Sequence, residues 1–164
     1  MDQSRLQSIV ADPSALEAEM HKIQRHYHVA GRTCGDCTAC CTVMAITELG
    51  KDNYTPCPHC TGKACAIYET RPTTCRGWSC EWWLGRLGLN DDQRPDKLGV
   101  IFTHDADSVL AFEITPGSAM NPVALHVMDQ VKNKYPLKFN PAGGTDRFQL
   151  GPGDARSEIL GGAR

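Results

Sequence analysis

The sequence predicts a small single α+β domain, and three observations carry that prediction. Residues 98–115 alternate apolar and other side chains on either side of an HDADS turn, which is the pattern of a β-hairpin. Two stretches, 2–29 and 121–136, carry apolar residues at helical spacing between cap and stop signals. Between the first of these and the hairpin lie all nine cysteines, from Cys34 to Cys80, in a segment broken by Gly35, Gly50, Pro56, Pro58, Gly62, Pro72 and Gly77.

In chain order, Asp12 is positioned to cap a helix whose first residue is Pro13, where a missing N–H costs nothing. Leu16, Met20, Ile23 and Tyr27 recur at helical spacing, and Gly31 closes the end. His21, His26 and His28 read as solvated residues of this N-terminal helix. After the loop-rich cysteine segment 34–80, SCEWWLGRLGL predicts a short helix presenting Trp82 and Leu89 on one face, and DDQRPD a polar connection. In the hairpin, Leu98, Val100 and Phe102 alternate before the turn and Leu110, Phe112 and Ile114 after it, giving one apolar face. Asn121 and Pro122 then start a C-terminal packing helix carrying Val123, Val127 and Val131. Lys132 and Lys134 complement its dipole, and Pro136 stops it. LKF and RFQL, joined by NPAGGTD, predict a second hairpin. The expected domain spans 1–150, with 151–164 a flexible tail that has little to bury.

The bulk properties exclude several function classes. A chain of 164 residues is long enough to bury a hydrophobic core. Its formal charge of −2 supplies no field for nucleic acid, and within 51–97 seven Lys or Arg stand against six Asp or Glu. No run of about 18 apolar residues predicts a membrane span, and the first residues lack the apolar stretch of a secretory signal. The expected location is cytoplasmic, where disulfides rarely persist, and an odd number of cysteines cannot be fully paired. Metal ligation suits both facts.

Thiolates favour soft or borderline metals, and four of them suit zinc or an iron–sulfur centre. The C-x2-C spacing lets one chain turn present two sulfurs to one ion. It occurs at Cys34–Cys37, Cys37–Cys40 and Cys57–Cys60, with Cys65, Cys75 and Cys80 available to complete the shells. In an extended chain the neighbours Cys40 and Cys41 point to opposite faces, so they would serve two adjacent sites. Zinc, an iron or iron–sulfur site, and thiol redox chemistry all remain open on spacing alone.

Arg71 and Arg76 are candidates to offset the negative charge of a thiolate-bound metal. Tyr68 and Ile67 are expected beneath the site, and Trp78, Trp82 and Trp83 in the core or shielding the cysteines. His59 is a possible ligand whose place between Cys57 and Cys60 turns it outward. Asp105 and Asp107 beside His104 read as hairpin-turn residues.

CGDCTACC, the following PC, and CAIYETRPTTCR with Cys80 resemble the CxxCxxCC family of zinc- or iron-chelating cysteine-cluster domains. The resemblance covers about Cys34 to Cys80. It implies metal-ligand roles for Cys34, Cys37, Cys40, Cys41, Cys57, Cys65, Cys75 and Cys80, and framework roles for Tyr68, Arg71, Pro72 and Arg76. Cys60 and His59 lie outside its pattern. Flagellin lysine methylases carry a similar cluster in a longer chain, but no glycine-rich nucleotide-binding turn follows a strand here.

The expected function is therefore a cytoplasmic metal-binding protein, its zinc or iron structural, stored or delivered, with the metal ion and a protein as the partners. An iron–sulfur redox protein or an accessory component of a methyl-transfer system is the alternative. No catalytic constellation stands out.

Overall fold

The computed structural model describes residue 12, residues 28–105 and 107–144, and the backbone of 148–150. The expected N-terminal helix, with His21 and His26, and the expected tail 151–164 lie outside the described residues. What is described is an α+β arrangement built on one four-stranded sheet: β1 (Val100–Asp105), β2 (Ser108–Glu113), β3 (Leu137–Asn140) and β4 (Phe148–Leu150), in that spatial order.

Both expected hairpins are present. β1 pairs antiparallel with β2, Phe102 opposite Ala111, and β3 pairs antiparallel with β4, Leu137 opposite Leu150. Their junction was not foreseen. β2 and β3 run parallel, Val109 beside Leu137, so the intervening helix completes a β-α-β crossover. The inward face of β2 also differs from the expectation. Val109, Ala111 and Glu113 are buried while Leu110 and Phe112 are only half-buried. Alternation separates two faces but does not say which one a covering element will claim. β1 is buried on both faces, through Val100, Ile101 and Phe102.

The packing helix, Pro122–Lys132, starts as its sequence requires. Asn121 Oδ1 accepts from Ala124 N at 2.8 Å, and Pro122 occupies the first turn. Val127 and Val131 are buried with Ala124 and Met128, whereas Val123 is exposed, contrary to expectation. Its place in the first turn lies beyond the edge of the sheet-facing stripe.

Among the described residues four short α-helices precede the sheet or lead into it: α1 (Ala39–Val43), α2 (Thr73–Gly77), α3 (Glu81–Leu84) and α4 (Pro95–Leu98), making Pro122–Lys132 α5. α3 buries Trp82, and Leu89 is buried a few residues later, as the sequence predicts. Trp82 Nε1 donates to Asn90 O at 2.9 Å. Gly99 ends α4 at φ 78°, and a Cβ there would lie 2.5 Å from Ser118 O, so this turn admits no side chain. The helices, the sheet and Cys80 share one hydrophobic core, including Val43, Trp82, Phe102, Met128 and Phe139. Among the described residues no helix is long and apolar enough to cross a membrane.

Candidate metal centre

The cysteine segment is held by tight turns and by tethers to the sheet. Cys37 N donates to Cys34 O at 2.8 Å and Cys60 N to Cys57 O at 3.1 Å, so two of the three C-x2-C pairs close as hydrogen-bonded turns. α1 carries Cys40 and Cys41, α2 carries Cys75, and Cys80 immediately precedes α3. Glu48 accepts from both Thr74 N (2.9 Å) and Thr74 Oγ1 (2.6 Å), joining the loop after α1 to α2. Glu81, fully buried, accepts from Arg86 Nε at 3.0 Å and lies 2.9 Å from His104 Nδ1 on β1. This places the segment's end beside β1, with no hydrogen bond formed to His104 Nδ1.

These tethers gather Cys34, Cys37, Cys40, Cys41, Cys57, Cys65, Cys75 and Cys80 around one cavity of about 160 Å³. Met44, Trp78, Trp83 and Ile101 complete its apolar wall. Ile101 lies on the face of β1 opposite Val100 and Phe102, which is why both faces of that strand are covered. Cys60 is the one cysteine outside the lining.

Electrostatic coupling runs from Cys75 to Cys41, Cys57 and Cys65 and from Cys80 to Cys34 and Cys37, and Cys41 also acts on Cys34. Burial raises the Cys75 thiol above its ordinary value, and the charges of Cys41, Cys57 and Cys65 raise it further. Burial pushes Cys80 up to about 12, with Cys34 and Cys37 adding to the shift. Cys34 and Cys37 are themselves raised, chiefly by burial. Cys41 is raised most of all, first because its thiol hydrogen-bonds Cys40, then by burial and the Cys40 charge. Burial and crowding thus favour the protonated form of Cys34, Cys37, Cys41, Cys75 and Cys80.

The relation between Cys40 and Cys41 corrects the sequence expectation. They lie in a helix rather than an extended chain, about 100° apart around its axis. Both line the cavity, and one bonds the other.

Among the described residues Arg71, Lys51 and Arg94 bring positive charge to the thiols, Arg94 acting with Arg71 on Cys34. Arg71 lines the cavity and its charge opposes the upward shift of Cys34, while its guanidinium stacks 3.9 Å above the Tyr68 ring. Tyr68 is half-exposed at the rim rather than packed beneath. Arg76 is outside the lining and donates to Thr73 Oγ1 at 3.3 Å. Lys51 carries no signal in the sequence. It is buried, donates to the carbonyls of Met44 and Asp52, and feels the charges of Cys57, Cys41, Cys40 and Cys75. Burial lowers its pKa and those four thiolates oppose the shift.

His59 lines the cavity, contrary to its expected outward orientation, because residues 59–66 fold back as a small hairpin. His28 stacks on Trp83 with ring centroids 5.4 Å apart. Asp105 pairs with Lys138 Nζ at 3.2 Å in the hairpin turn.

Eight sulfurs and an imidazole around one cavity form a donor set that fits zinc or iron. Among the described residues no group of three or more His, Cys, Asp or Glu is placed to hold a metal ion. Comparison of the chain with protein-family models, curated proteins and solved structures finds no match.

Proposed function

We propose that this chain is a metal-binding protein that chelates zinc or iron through cysteine thiolates, with zinc the leading candidate. One observation carries the reading: the eight cysteines marked by the resemblance to the CxxCxxCC family line a single cavity, and the ninth does not. Cys41, Cys57, Cys65 and Cys75 would hold an ion on the Lys51 side. Cys34, Cys37 and Cys80, with Cys40 between the sets, would serve the Arg71 side. Binding requires thiols to lose protons and turn inward, and bound metal would supply the positive charge that this buried thiol cluster lacks. Nine unpaired thiols suit a reducing compartment, so the proposed location is cytoplasmic.

The test is anaerobic purification followed by elemental analysis, an optical spectrum and thermal melting with and without a strong chelator. Stoichiometric zinc in a colourless protein is the expected result, with a lower melting temperature after stripping. Visible sulfur-to-iron charge-transfer bands would assign iron instead. Protein that takes up neither metal on reconstitution under reducing conditions would end the proposal.

A further inference from the structure

Cys60 stands directly opposite Cys65 in the small hairpin of residues 59–66. Thr61 N donates to Ala64 O at 3.0 Å and Ala66 N to His59 O at 2.9 Å, so the flanking residues make the hydrogen bonds and the two cysteines do not. That defines a non-hydrogen-bonded antiparallel pair, whose Cα atoms lie about 4.5 Å apart with side chains on the same face. A disulfide spans Cα separations of about 4.4–6.8 Å, so this pair closes without moving the backbone. Both residues are partly exposed, and Cys60 lies close to Cys41 just outside the cavity lining.

We propose that Cys60 and Cys65 form an oxidative modification site, a reversible cross-strand disulfide that withdraws Cys65 from the metal-binding set. The consequence for metal rests on the function proposed above; the disulfide itself does not. The oxidant is a small-molecule disulfide such as oxidised glutathione. The Cys60 thiolate attacks one of its sulfurs, forming a mixed disulfide and expelling one glutathione thiolate, which takes up a proton. The Cys65 thiolate then attacks the Cys60 sulfur and expels the second glutathione. Two protein thiols lose two electrons and two protons, and one glutathione disulfide becomes two glutathione thiols. With Cys65 bonded to Cys60, the set of Cys41, Cys57, Cys65 and Cys75 loses a ligand. Reduction restores it.

The full chain, metal-free and zinc-loaded, is equilibrated with glutathione buffers of increasing oxidised fraction. Free thiols are then alkylated and the protein is digested with trypsin. Cleavage after Lys63 separates the two cysteines, so the disulfide appears as two linked peptides. Fragmentation assigns it to Cys60 or Cys57 on one peptide and to Cys65 or Cys75 on the other, since trypsin does not cleave between Arg71 and Pro72. The first disulfide formed should be Cys60–Cys65 in both preparations. Zinc release, followed with a chromogenic chelator, should parallel it. Cys60→Ser and Cys60→Ala should each need at least about tenfold more oxidant for release, since they lack the partner that closes intramolecularly at mM effective concentration. First closure at Cys41–Cys60, at Cys57–Cys65 or at random would overturn the site. Equal oxidant sensitivity of both variants and wild type would overturn its role in release. A chain that forms Cys60–Cys65 but takes up no metal keeps the modification site and loses the function proposed above.

Discussion

Lys51 Nζ donates to the main-chain carbonyl of Met44, and this bond holds a buried ammonium against four of the cavity thiols. A second donation, to Asp52 O at 3.2 Å, fixes it further. No carboxylate is among the groups whose charge acts on it most strongly; thiolates are. Lys51→Met keeps the stem and removes the charge. It is expected to weaken zinc retention by about 10- to 100-fold, or roughly 1.4–2.8 kcal/mol, the range for groups that support ligands without binding metal. Competition against a coloured chelator measures this. Unchanged affinity would reduce Lys51 to a backbone brace.

Arg71 and Arg76 are separated by position rather than by type. Arg71 lines the cavity and acts on Cys34; Arg76 bonds Thr73 outside it. Arg71→Ala should therefore lower metal affinity by about tenfold. Arg71→Lys should recover only part, because an ammonium lacks the planar fork that stacks on Tyr68. Arg76→Ala should change affinity less than Arg71→Ala in the same titration. The reverse order would exchange their roles.

Tyr54 joins the loop after α1 to the sheet: its hydroxyl donates to Asn140 O at 3.2 Å, and its backbone sits at φ 58°. Tyr54→Phe should cost about 0.5–1.5 kcal/mol, the net value of one hydrogen bond. Burial, with a smaller push from the Glu113 charge, raises the Tyr54 pKa from 10.0 to about 12. The folded state thus binds this proton more tightly than the unfolded state. Its contribution is complete below pH 10 and is lost as pH rises through 12. The stability difference between wild type and Tyr54→Phe should shrink over that window in chemical denaturation, since the cysteines titrate in both proteins. A difference that stays constant would detach the hydroxyl from the effect.

Glu81 is the buried link between the cysteine segment and β1. Glu81→Gln leaves Arg86 and His104 without their carboxylate and should destabilise the fold by about 1–3 kcal/mol, as for a buried polar group losing its partner. Because Cys80 is its neighbour, metal affinity should fall too. Arg86→Ala, which removes a half-exposed partner, should cost less. Equal melting temperatures for Glu81→Gln and wild type would show that the link carries no stability.

Local chemistry alone determined a good part of this protein. The two hairpins, the Asn121 cap, the Pro122 start and the burial of Trp82 and Leu89 follow from alternation, capping and turn residues acting within a few positions of one another. The spacing of the cysteines marked the segment whose residues line the cavity. Tertiary structure decided the rest, because the deciding contacts join distant residues. The parallel pairing of Val109 with Leu137 needs a helix to return the chain. Which face of β2 turns inward depends on what covers it, so Val109 and Ala111 took the place expected of Leu110 and Phe112. Lys51 reached the thiols only because the turn from Ile46 to Lys51 folds it inward, and His59 because its hairpin folds back. That same hairpin sets Cys60 beside Cys65 yet outside the lining shared by the other eight cysteines, a distinction of place that spacing along the chain does not encode.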